Sequence, residues 1–145
     1  MSVYVTITQA QAAAILEGAF AHQASAGLNP LAVAVLDAGG RLVAFSRQDG
    51  TPPGRFEIAR GKAHGAVMLG FGGTALQARA EAQAYFIQAA NGALGGGVVP
   101  VQGGVLIKDA EGRTIGAVGI SGDASDKDEA AAVAGIRAAG LAAAP

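Results

Sequence analysis

The chain has 145 residues, 51% of them hydrophobic and 14% charged, with a formal net charge of −1, a pI near 6.1 and a mean hydropathy of +0.38. That is apolar material for one core, so residues 1–145 read as a single domain, and the charge balance excludes the broad basic field that non-specific nucleic-acid binding needs. The absence of Cys excludes disulfides, thiolate metal sites and thiol nucleophiles, and no apolar run is long enough to span a membrane.

The first twenty residues lack a basic start and an unbroken apolar stretch, because Gln9, Gln11 and Glu17 interrupt them, so no leader is expected and a cytoplasmic setting fits. Thr8 is a plausible N-cap, and Ile15, Leu16, Ala19 and Phe20 recur at helical spacing until Gly27, Asn29 and Pro30 stop the helix. Leu31 to Leu36 reads as a buried strand, Asp37-Ala38-Gly39-Gly40 as a tight turn, and Arg41 to Arg47 as the second strand of a hairpin. The loop Gln48 to Gly54 leads off the sheet into a helical stretch from Arg55 to about Ala90, broken near Gly70 to Gly73, where Thr74 can cap the second piece.

Glycines at 92, 95, 96 and 97 make an irregular loop, after which Val98 to Val101 is expected to be a strand. A hairpin from Val105 to Ile120 follows, turning at Ala110-Glu111-Gly112. Ser125, three residues before Asp128, suggests a capping-box variant at the start of an Ala-rich last helix holding Val133, Ile136 and Leu141. The order α-β-β-α-α-β-β-β-α predicts an α/β (α+β) fold, an antiparallel sheet of about five strands with helices packed on it. The low charge and the many Ala and Gly residues suggest buried subunit interfaces, hence a homo-oligomer.

Charge in this sparsely charged chain gathers at Arg47, Asp49, Arg55, Glu57, Arg60 and Lys62. On a helix Arg60 and His64 share a face, which would suit a carboxylate-bearing ligand, while Arg55 and Glu57 read as surface ion pairs or subunit contacts. His64 can be a ligand or a general base near neutral pH, or a helix-face His bonded to a neighbour. Asp123, Asp126, Asp128 and Glu129 lie near a helix start, where acids favour the dipole, and their spacing is not that of an EF-hand. Capping is expected for Asp126 and Asp128, whereas Asp123, at a strand end, could be presented as a catalytic carboxylate. The glycine runs at 95–97 and 103–104 match no phosphate-loop pattern, and Phe71, Tyr85 and Phe86 are candidates to line a pocket or to fill the core.

The runs VLDAGGRLVAFSRQDG, GKAHGA, PVQGGVLIKDAEGRTIGAVGISG and DASDKDEAAAVAGI, in this order over nearly the whole chain, resemble the GlcG/HbpS family of haem-degrading and haem-binding proteins. The resemblance implies a profilin-like or GAF-like sandwich with a five-stranded antiparallel sheet, assembled as a ring or stacked ring such as an octamer. It also implies haem as a cofactor. This chain departs from the pattern at His64, where many relatives carry Arg, Tyr or Thr, and at Asp123, where many carry Gly.

Two function classes follow. One is a haem or tetrapyrrole binder in which His64 is the ligand and Arg60 and Lys62 pair the propionates. The other is a small-molecule catabolic enzyme in which His64 or Asp123 serves as acid and base while Arg60 or Lys62 holds a carboxylate. An accessory oligomer without chemistry of its own is a third reading.

Overall fold

The computed structural model describes residues 3–145; Met1 and Ser2, which begin the N-terminal stretch read above, lie outside the described residues. Its elements are α1 (Gln9–Ala26), β1 (Ala32–Asp37), β2 (Leu42–Arg47), α2 (Arg55–Leu69), α3 (Gly73–Ala82), α4 (Ala84–Ala93), β3 (Gly104–Lys108), β4 (Thr114–Ser121), α5 (Ser125–Ala138) and β5 (Ala142–Ala144). The five strands form one antiparallel sheet in the order β2-β1-β4-β3-β5, so β2 and β5 are its edges.

Strand alternation divides the sheet into two faces. Val33, Val35, Val105, Ile107, Val118 and Ile120 point to one side, where Ile15 and Ala19 of α1 and Ala132 and Ile136 of α5 bury them. Fully burying one such Ile or Val side chain contributes about 1.5–3 kcal/mol. The other face carries Ala32, Ala34, Leu36, Leu106 and Ala117, small residues against which Ala59, Ala63 and Ala66 of α2 pack. Here the helix sits almost backbone on backbone: a Cβ on Gly119 would strike the carbonyl of Ala59, and one on Gly104 the carbonyl of Lys62. No helix among the described residues is long and apolar enough to cross a membrane.

Local chemistry explains where the elements begin and end. Thr8 closes a capping box on α1: Gln11 N–H donates to Thr8 Oγ1 at 3.1 Å, and Thr8 N–H donates to Gln11 Oε1 at 3.0 Å. Both hairpins turn on the same device. Asp37 Oδ1 accepts the N–H groups of Gly39 and Arg41 at 2.9 Å, and Asp109 Oδ1 accepts those of Glu111 and Arg113 at 3.0 and 2.9 Å. Gly40 and Gly112, with φ of 79° and 78°, supply the left-handed residue that each turn requires.

The structure departs from the sequence expectations at several places. Val98 to Val101 is not a strand. Val99 donates to the carbonyl of Gly61 on α2 and Val98 to Asn91 Oδ1, while Pro100 has no N–H for a ladder. The fifth strand is instead β5, from a segment that reads as the tail of the last helix. That helix stops at Ala138 in a Schellman motif, in which Gly140 N–H donates to Arg137 and Leu141 N–H to Ile136, so Leu141 lies beyond it. The helical middle has three pieces, with an additional break at Gln83. Gly72, not Thr74, is the N-cap of α3, and Ala124, not Ser125, that of α5.

Candidate functional site

Helix α2 carries three of the four residues singled out by the sequence, and its 100° step per residue decides their company. Arg60 and His64, four apart, share the side facing the β1–β2 hairpin. Lys62 points about 160–200° away from both and is 2% exposed.

His64 is half-buried, and its Nε2 is fully enclosed without a hydrogen-bond partner. Burial pulls its pKa below the ordinary value of 6.5, and the charges of Arg60 and Arg41 push it the same way. The ring therefore favours its neutral form at pH 7. Neither guanidinium beside it has an acid partner or a side-chain hydrogen bond among the described residues. Leu42 and Met68, 47% and 43% exposed, add an apolar surface beside them, with Met68 lying against Gly40 in the hairpin turn. About two turns back along the same side of the helix, the half-buried Phe56 meets Phe45 of β2 edge to face, with ring centroids 4.7 Å apart.

Lys62 runs past Gly103 to the far end of the sheet. Its Nζ donates to the carbonyl of Ile120 at 2.9 Å and to Asp128 Oδ2 at 3.0 Å. Asp128, 1% exposed, also accepts the N–H of Asp123 through Oδ1 at 2.9 Å. Burial lowers the Lys62 pKa and raises that of Asp128, and each charge opposes the other's shift. The lysine that the sequence grouped with Arg60 and His64 is thus a strut joining α2, β4 and α5, and its ammonium does not face the His64 surface.

Asp123 is not beside His64 either. Its Oδ2 accepts the N–H of Asn29 at 2.8 Å and its Oδ1 that of Ala124 at 2.7 Å, bonds that hold its pKa below the usual carboxylate range. A carboxylate held ionised by two backbone donors is a poor proton donor at neutral pH, and the structure does not assemble a His64–Lys62–Asp123 triad. The other acids disperse as well: Glu129 takes Thr74 Oγ1 and Gln102 Nε2. Among the described residues no three His, Asp or Glu side chains converge to hold a metal ion.

Two features escaped the sequence reading. Arg41 reaches the His64 surface only through the fold, with no sequence signal. A groove of about 540 Å³ opens between α1 and the far end of β2, lined by Phe20, Gln23, Pro30, Arg47, Gln48 and Asp49 among others. Two of the aromatic candidates are engaged elsewhere or open to solvent: Phe86 lies under the Arg79 guanidinium at 3.9 Å and Tyr85 is 69% exposed.

Solved structures share this architecture. PduOC in a haem complex superposes with a TM-score of 0.82 at 23% identity, covering 94% of this chain and 96% of its own. A double mutant of Streptomyces reticuli HbpS gives 0.78 at 26%, covering 94% and 89%, and Klebsiella pneumoniae protein ORFY gives 0.81 at 23%, covering 96% and 94%. No curated protein matches the sequence. The family model for haem-degrading HbpS-like proteins matches residues 7–137, and the chain belongs to that family.

Proposed function

We propose that this protein binds haem on the surface between α2 and the β1–β2 hairpin. The observation that carries this reading is the His64 imidazole, held toward its neutral form, with no hydrogen-bond partner for its Nε2 and with two unpaired guanidiniums beside it. His64 would ligate the iron once its ring turns the enclosed Nε2 outward, Arg60 and Arg41 would pair the propionates, and the exposed Leu42 and Met68 would supply apolar contact. Bound haem would supply a redox-active iron. The family description, and the haem found in a complex of the same fold, support the ligand class. Lys62, expected among the propionate partners, is left out because Asp128 and Ile120 hold its ammonium.

The protein acts as a homo-oligomer in the cytoplasm on this reading. Its low charge, the half-exposed edge strand β2 and the apolar Leu42 and Met68 beside it support assembly.

Titration of the purified protein with haemin tests the proposal through the Soret band. A saturable shifted band is expected for the wild type, and a band characteristic of lost axial imidazole for His64→Ala. His22→Ala removes the other histidine of the chain and is expected to leave the band unchanged. No saturable shift in the wild type overturns haem binding, and a band unaltered in His64→Ala overturns the ligand assignment.

A further inference from the structure

The corner where β4 leaves the sheet is rich in hydrogen-bond donors and short of acceptors. Arg55, the first residue of α2, donates from Nη1 to Ser121 Oγ at 3.1 Å, its one side-chain hydrogen bond. A guanidinium has five N–H donors, so four are left without a protein partner among the described residues. No carboxylate lies within ion-pair distance of Arg55 among the described residues, and the charge of Arg55 reaches the Lys62 ammonium, which Asp128 already pairs. Ser121 is fully buried, and its hydroxyl, having accepted from Arg55, has no acceptor for its own proton. Lys62 uses two of its three protons, on Ile120 and Asp128. Four residues before Arg55, the hydroxyl of Thr51, 6% exposed, has no hydrogen-bond partner among the described residues.

The nearby acids cannot balance these donors. Asp128 is taken by Lys62 and by the N–H of Asp123, and Asp123 by the backbone N–H groups of Asn29 and Ala124. A half-buried arginine with no acid partner of its own keeps donors free for an anion from solution.

We infer that Arg55, held in place by Ser121, forms a binding site for the carboxylate group of a small molecule. The planar guanidinium fork matches the two oxygens of a carboxylate, and the buried Ser121 hydroxyl fixes the fork's direction from behind. Nine residues of α2 separate Arg55 from His64, roughly 13 Å along the helix, so the site is distinct from the haem surface and does not rest on that reading.

The test is a titration of full-length protein with sodium acetate, read on the Arg55 side-chain Nε–H and Ser121 amide NMR signals at ionic strength fixed with sodium chloride. Acetamide, of the same shape without charge, and inorganic phosphate are run in parallel. Saturable shifts are expected with acetate, and none with acetamide. Arg55→Lys, which keeps the charge and loses the fork, is expected to weaken acetate binding about tenfold, and Ser121→Ala by several-fold. His64→Ala is expected to leave it unchanged. A response that does not saturate, or equals that of acetamide, overturns the site, and tighter binding of phosphate than of acetate overturns the carboxylate assignment. Should Arg55→Lys not fold, the wild-type comparison and Ser121→Ala decide the question.

Discussion

In the β1–β2 hairpin, Asp37 gathers two backbone N–H groups and Gly40 turns the chain back into Arg41; in the β3–β4 hairpin, Asp109 and Gly112 do the same before Arg113. The five-residue turns differ in sequence only at the third position, Gly39 against Glu111. Their arginines have different fates. Arg113 folds back, its Nε donating to Asp109 Oδ2 at 2.7 Å and its Nη2 to Glu111 at 3.3 Å. Arg41 makes no such bond and its charge falls on His64 instead. The strands differ in the same sense, for β3 and β4 lie inside the sheet and are almost wholly buried, whereas β2 is a half-exposed edge. One hairpin closes its charges on itself and serves the core, and the other leaves a cation open where a ligand can meet it.

The largest effect is expected where the inner hairpin is pinned. Asp128→Ala leaves the Lys62 ammonium buried beside Ile120 of β4 without its counter-charge, at a cost of about 3–5 kcal/mol. Urea unfolding measures it, and a change near zero would show that the inner hairpin does not depend on the strut. Next comes the seat of α2 on that hairpin: Gly119→Ala drives a methyl into the carbonyl of Ala59 and is expected to destabilise by about 1–3 kcal/mol or more.

The arginines themselves make the sharpest comparison. Arg41→Gln is expected to weaken haemin affinity about tenfold, the loss of one charge-assisted pair, while Arg113→Gln leaves it unaltered. Equal effects from the two would erase the distinction between the hairpins. The smallest effect is the titration of His64. Its folded pKa lies below that of the unfolded chain, so the folded state resists protonation. Stability from this group is complete above about pH 6.5 and declines as pH falls below it. A melting temperature followed from pH 7.5 to pH 5 should drop slightly more in the wild type than in His64→Gln.

Much of this was legible in the sequence because the signals are local. Thr8 with Gln11, the glycines of both turns and the aliphatic runs of the hairpins each act within a few residues, and the structure places them as read. What escaped was non-local. Ala142 to Ala144 has the composition of a helix, and pairs with β3 only because Gly140 turns it back. The break at Gln83 has no Gly or Pro to announce it. Lys62 looked like a surface partner of Arg60 because sequence shows helical spacing without showing which side meets the sheet. Arg41 stands beside His64 across more than twenty residues of chain, a proximity that only sheet topology creates.

The glycine seat of α2 has a mechanical consequence. Where side chains separate a helix from a sheet, rotamers can adjust and absorb a push. Here peptide groups bear directly on Gly104 and Gly119, and no such cushion exists. The helix can shift only as a whole, so its two ends, with His64 toward one and Arg55 at the other, keep a fixed separation. A force applied at either end is carried along a stiff rod rather than dissipated beneath it.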